Sequence, residues 1–113
     1  MRQRSSLLLA SAGFAAFVAL GTWACGSGSS PQVHEVVIDA TSYSPQILDV
    51  GVGDTIVWTN KDLLVHTVTA ENGEFDSGDM APDETWRFTV QRTGEFVYRC
   101  VYHPPMTGHV RVQ

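Results

Sequence analysis

From residue 33 onward the apolar positions recur every second residue. Val36 and Ile38 stand two apart, as do Leu48, Val50 and Val52, then Ile56 and Trp58, Trp86, Phe88 and Val90, Phe96, Tyr98 and Cys100, and finally Val110 and Val112. A period of two puts alternate side chains on one face of an extended backbone, so each set predicts a half-buried strand. No stretch beyond residue 31 repeats at the helical period. Turn residues at Ser44-Pro45, Gly51-Val52-Gly53, Asn72-Gly73, Ser77-Gly78-Asp79 and Thr93-Gly94 interrupt the strands at regular intervals. The pattern predicts an all-β, antiparallel sandwich.

The first residues follow another rule. Arg2 and Arg4 precede Leu7 to Leu20, which is apolar apart from Ser11 and Gly13. A charged start and an apolar run shorter than the ~20 residues of a membrane span predict an export signal over 1–24, with an uncleaved anchor helix as the alternative. Thr22-Trp23-Ala24-Cys25 resembles a bacterial lipobox, with Ala24 at the cleavage position but Thr22 where that pattern prefers an aliphatic residue. Cys25 is therefore the candidate lipid attachment, and ordinary cleavage nearby is the competing reading. Residues 25–32 continue as Gly26-Ser27-Gly28-Ser29-Ser30-Pro31, a flexible tether without core-forming side chains.

Residues 33–113 then form one domain, the only count that a chain of 113 residues with such a leader supports. Removing Arg2 and Arg4 from seven basic residues leaves five against twelve acidic ones, a formal charge of −7. That balance argues against nucleic acid as a partner and favours approach by a basic protein. Of the two cysteines, Cys25 belongs to the signal boundary, so Cys100 is the single thiol of the domain. A lone thiol in an oxidising compartment is a liability unless something occupies it.

Cys100, His103 and Met106 follow one another at spacings of three, and His66 lies upstream. A thiolate, two imidazoles and a thioether are the donor set of a mononuclear copper centre used for electron transfer. The strand alternation turns Cys100 inward with Phe96 and Tyr98, while His103 and Met106 fall in the loop that follows. Pro104 and Pro105 fix two φ angles of that loop and remove two backbone donors, which stiffens it. Each ligand has a plainer alternative: a hydrogen-bonded histidine, a buried small thiol, a methionine filling the core. Met80 competes with Met106 for the axial place, and proximity to His103 favours Met106. His34 and His109 read as surface residues.

Several motifs around these residues occur in a familiar order. Gly53-Asp54-Thr55-Ile56-Val57-Trp58-Thr59-Asn60 resembles a G-D-x-V-x-W-x-N strand, with His66 six residues after it. Phe75-Asp76-Ser77-Gly78, Pro82 to Phe88, Gly94 to Cys100, and the Met106-Thr107-Gly108-His109-Val110 ending continue the likeness. Over roughly residues 33 to 113 the chain resembles the cupredoxins of the plastocyanin and azurin type, and most closely the amicyanin-like branch with its short C-x-x-H-P-x-M loop. The resemblance implies a Greek-key sandwich of about eight strands. It also implies one type 1 copper ion held by His66, Cys100, His103 and Met106. Asn60 and Thr67 would support the ligands from outside; Thr67 stands where the family often has Asn, and its hydroxyl can still bond backbone.

The expected function is a one-electron carrier of the cell envelope, cycling Cu(I) and Cu(II) and performing no substrate chemistry. Envelope copper buffering, or delivery to a copper enzyme, is the alternative on the same fold. Electrons would enter at the edge of His103, within an apolar rim of Leu63, Leu64, Met80, Pro104 and Pro105. The expected partners are redox proteins such as a cytochrome c or an envelope dehydrogenase or oxidase, and the domain is expected to be a monomer. The acidic Glu71, Glu74, Asp76, Asp79, Asp83 and Glu84 read as a solvated loop region rather than a dedicated docking patch.

Overall fold

The computed structural model describes residues 12–16, 18, 21 and 28–113. Arg2, Arg4 and Cys25, on which the export and lipidation readings depend, lie outside the described residues. Among the described residues no helix is long and apolar enough to cross a membrane.

Eight strands follow in order among the described residues: β1 (Val33–Asp39), β2 (Ser42–Ser44), β3 (Ile47–Val50), β4 (Thr55–Asn60), β5 (Thr69–Ala70), β6 (Thr85–Thr89), β7 (Gly94–Arg99) and β8 (Thr107–Val112). They form two four-stranded sheets, β2-β1-β4-β6 and β3-β8-β7-β5. The all-β sandwich expected from the alternation is present, but it is not purely antiparallel. β1 runs parallel to β4, from Val33 opposite Thr55 to Ile38 opposite Asn60, and β3 runs parallel to β8. The remaining pairs are antiparallel.

Alternation explains the core. Val36 and Ile38 of β1 and Ile56 and Trp58 of β4 are fully buried, as is Tyr98 of β7, with Phe96 and Val110 nearly so. Val52 departs from the pattern: it is 50% exposed because it sits in the turn after β3 rather than on the strand. Trp58 packs in the interior with its ring 5.5 Å from Trp86, 5.6 Å from Tyr98 and 5.9 Å from Phe75. Tilted and edge-on contacts of this kind each contribute about 0.5–1.5 kcal/mol beyond area burial. Because Trp58 belongs to one sheet and Tyr98 to the other, their contact clamps the two layers beneath the pole where the candidate ligands lie.

Tyr98 imposes a strict condition on its neighbour. Gly108 is its cross-strand partner on β8, and a Cβ at Gly108 would lie 2.3 Å from Tyr98 Cζ. The phenol ring occupies the space a side chain would need, so only glycine fits. This contact fixes how β8 sets off from the loop that carries His103 and Met106.

Candidate metal centre

Two chain segments meet at the pole where β4 and β7 end. After Asn60 the chain runs through an exposed stretch, Leu63 to Val65, and turns inward at His66, which is fully buried. His66 is held by a two-way backbone bridge to Met80, His66 N–H donating to Met80 O at 3.1 Å and Met80 N–H to His66 O at 2.8 Å. Cys100, immediately after β7, is also fully buried. The loop after it closes on itself: His103 N–H donates to Cys100 O (3.3 Å), Met106 N–H to His103 O (2.8 Å), and Cys100 N–H to Met106 O (3.2 Å). Pro104 and Pro105, exposed between these bonds, lack the donors that would compete with them.

The closure brings three donor atoms together. Cys100 Sγ lies 3.6 Å from His66 Nδ1 and 3.5 Å from His103 Nδ1, and the three atoms fall within 4.8 Å of one another. The two imidazole rings lie 4.9 Å apart, and His103 is half-buried. Metal–sulfur and metal–nitrogen bonds of roughly 2.3 and 2.0 Å at near-trigonal to tetrahedral angles demand sulfur–nitrogen separations of about 3.5–3.7 Å. The observed distances fit one first-row transition metal ion. Met106, 4% exposed, lies in the same buried cluster as Cys100.

Hydrogen bonds surround these donors. Thr67 N–H points at Cys100 Sγ at 3.4 Å, and Thr67 Oγ1 accepts Val101 N–H at 3.0 Å. The hydroxyl therefore joins the His66 segment to the Cys100 loop. Asn60, fully buried, donates through Nδ2 to Leu64 O (2.8 Å) and Met80 O (2.9 Å), and its Oδ1 accepts Asp62 N–H (3.0 Å). It thus sets the path of the chain from β4 to His66. Tyr43 donates its hydroxyl proton to Thr67 O. Burial, then the nearby Cys100 and Tyr98, push the Tyr43 phenol far above its ordinary pKa, so it remains a neutral donor.

Asp62 was not singled out by the sequence, yet its Oδ2 lies 2.9 Å from His66 Nε2. The bond to His66, followed by the Thr41 and Leu63 amides, holds the Asp62 carboxyl below the usual carboxylate range. The available signal was an acid four residues before the candidate histidine.

Leu63 and Leu64 are exposed at 90% and 50%, and Pro104 and Pro105 are exposed beside His103 in sequence. Met80 is not part of that surface. It is 2% exposed because its bridge to His66 draws it into the core. Val101 and Tyr102, 51% and 53% exposed, are apolar surface of the same loop that the sequence reading did not name. His34 bonds Asp54 at 2.8 Å and His109 lies 3.3 Å from Glu95, both outside the donor cluster and both only partly exposed. Much of the acidic region is already engaged. Asp79 accepts the Tyr102 hydroxyl at 2.6 Å, Glu74 pairs with Arg92 and Asp83 with Lys61.

No protein-family profile matches the chain. Amicyanin of Paracoccus versutus is 28% identical over 83 residues, which are 69% of this chain and 63% of that protein; the chain thus spans less than two thirds of that relative's length. The structure of a purple cupredoxin from Nitrosopumilus maritimus superposes with a TM-score of 0.65 at 28% identity, covering 71% of this chain and 99% of that one. A reduced amicyanin variant superposes at 0.65 with 30% identity, covering 72% of this chain and 82% of that one. The chain belongs to the cupredoxins. Within that family it is amicyanin-like, and the eight strands in two sheets are the cupredoxin sandwich expected from the motifs.

Proposed function

We propose that this cupredoxin is a one-electron carrier holding a single type 1 copper ion through His66, Cys100, His103 and Met106. The observation that carries the reading is the convergence of two imidazole nitrogens and one sulfur, two of the three residues being fully buried. When bound, copper supplies a Cu(I)/Cu(II) couple, taking one electron from a reduced partner and giving it to an oxidised one. The chain does the rest. Cys100 presents its sulfur as thiolate, and the Thr67 amide supports that charge. The laced loop keeps His103 and Met106 in place, so the donors need little rearrangement when the charge changes. Burial keeps water and substrates away from the metal, which argues against hydrolytic or oxidase chemistry.

A buffering or delivery protein must release its ion to an acceptor. Cys100 and His66, both with no exposed surface, argue against that exchange and support the carrier. His103 is the half-buried member of the trio, and Leu63, Leu64, Pro104 and Pro105 offer an apolar rim for a brief encounter, with a basic redox protein steered by the acidic surface. Export, and a lipid on Cys25, extend the reading on sequence grounds alone. Recovery of the wild-type protein in the soluble fraction with Cys25 unmodified would remove the anchor.

A visible spectrum of the copper-loaded domain tests the core of the proposal. An intense thiolate-to-copper(II) band is expected, absent in Cys100→Ser. Met106→Leu should retain copper and colour while shifting the potential, because a weak axial ligand tunes more than it holds. Stoichiometric copper binding without the band would overturn the type 1 reading.

A further inference from the structure

His66 has no exposed surface, and its two ring nitrogens face different groups. Nδ1 is turned toward Cys100 Sγ at 3.6 Å, while Nε2 lies 2.9 Å from Asp62 Oδ2. A neutral imidazole donates from one nitrogen and accepts on the other, and the partner of one decides the role of the other. A carboxylate accepts only, so Nε2 carries the proton and the lone pair sits on Nδ1.

Asp62 is itself fixed. Its Oδ1 accepts Leu63 N–H at 2.7 Å and its Oδ2 accepts Thr41 N–H at 3.0 Å. Thr41 belongs to the two-residue turn between β1 and β2, where Ala40 and Thr41 have φ of 47° and 59° although neither is glycine. Such backbone is uncommon for these residues and persists where the surroundings hold it. Here it delivers the Thr41 amide to Asp62. A buried imidazole N–H needs only one acceptor, and a backbone carbonyl would serve. A carboxylate gripped from two further directions adds orientation and negative charge.

We propose that Asp62 is a positioning residue for the metal, locking His66 with its lone pair on Nδ1 and favouring the more highly charged Cu(II) over Cu(I). The inference rests on the assignment of His66 as a ligand. The carboxylate makes the imidazole a stronger donor, and its charge acts more strongly on a dication than on a monocation. Asp62 is thereby coupled both to a ligand and, through Thr41, to the β1–β2 turn.

The test uses the mature chain with Asp62→Asn, which keeps an acceptor but removes the charge, and Asp62→Ala, which removes both. Nitrogen chemical shifts of His66 in the metal-free protein report the tautomer, and voltammetry and competition titration report potential and copper affinity. Wild type should show a single Nε2–H tautomer and Asp62→Ala a mixture. Both variants should lose Cu(II) affinity, Asp62→Ala by roughly 10–100-fold. The potential should rise by about 59 mV for each tenfold loss of preference for Cu(II) over Cu(I). An Nδ1–H tautomer in the wild type, or unchanged tautomer and potential in the variants, overturns the inference. If Asp62→Ala does not fold, the potential of Asp62→Asn decides. His66→Ala separates the two levels: a blue, copper-retaining His66→Ala protein overturns the ligand reading itself, whereas its failure to bind beside silent Asp62 variants overturns only the role of Asp62.

Discussion

Thr67 Oγ1 accepts the amide of Val101 at 3.0 Å, so a single hydroxyl bridges two segments 34 residues apart. The same residue offers its own N–H to Cys100 Sγ, and Tyr43 secures its carbonyl. Thr67→Val keeps the shape and removes the acceptor, leaving a partly buried amide without a partner. A loss of about 1–3 kcal/mol in the metal-free protein is expected by urea unfolding. Thr67→Ser should retain most of that stability. Equal stability of Thr67→Val and wild type would show that the bridge contributes nothing.

Replacing Gly108 by Ala should be among the most damaging changes in the domain. The added Cβ would stand 2.3 Å from Cζ and 2.4 Å from the hydroxyl oxygen of Tyr98. Overpacking typically costs about 1–3 kcal/mol, and this case should reach or exceed the upper end because the obstacle is a rigid buried ring. The double variant Gly108→Ala, Tyr98→Leu should recover part of the loss. Thermal unfolding of the four proteins in the cycle would reveal non-additivity, and purely additive effects would count against the contact.

Acid should weaken the end of β4 away from the metal site. Asp54, 6% exposed, accepts the amides of Gln32 and Gly51 and bonds His34, and these bonds hold its pKa down to about 2. A depressed carboxyl contributes stability that is fully present above its unfolded value of about 3.9. That contribution fades as pH falls toward 2, since protonation then removes an acceptor of three bonds. Unfolding midpoints measured between pH 5 and 2 should fall more steeply for wild type than for Asp54→Asn. Parallel curves would assign the acid sensitivity elsewhere.

A charge in the apolar rim should slow partner exchange without changing the site. Leu63 and Leu64, 90% and 50% exposed, bury little side chain in the fold, so Leu63→Glu and Leu64→Glu should leave stability and the visible spectrum intact. Self-exchange and reaction with a basic redox partner should both slow, measured by stopped flow. Added salt should reduce the association rate with the basic partner more than the electron-transfer rate within the complex. Unchanged rates in both variants would move the electron port away from His103.

What the sequence revealed follows from which physical signals are local. Alternation along Phe96, Tyr98 and Cys100 turned Cys100 inward, and the spacing of Cys100, His103 and Met106 identified a loop able to close on itself; the distances among Sγ and the two Nδ1 atoms agree with both. Strand direction has no such signature. A period of two is the same in parallel and antiparallel pairs, so the β1–β4 and β3–β8 pairings were illegible. Val52 continues the alternation in sequence but lies in a turn, and Met80 has no periodic partner to betray the bridge that buries it. Asp62 was missed because its role depends on a side-chain contact with His66 and on the Thr41 amide, which arrives from a turn twenty-one residues away.

The position of β8 between β3 and β7 governs the order of assembly. β8 is made after every other strand, yet it supplies the inner edge for two of them. A nascent chain that stops short of Thr107 leaves β3 without its neighbour and one side of β7 open, and Cys100, His103 and Met106 lack the far anchor of their loop. The first sheet needs no strand beyond β6, whereas the second cannot close without the last one. The pocket is therefore complete only when β8 has paired with both of its neighbours, so the last strand holds closed a loop whose donor residues all precede it.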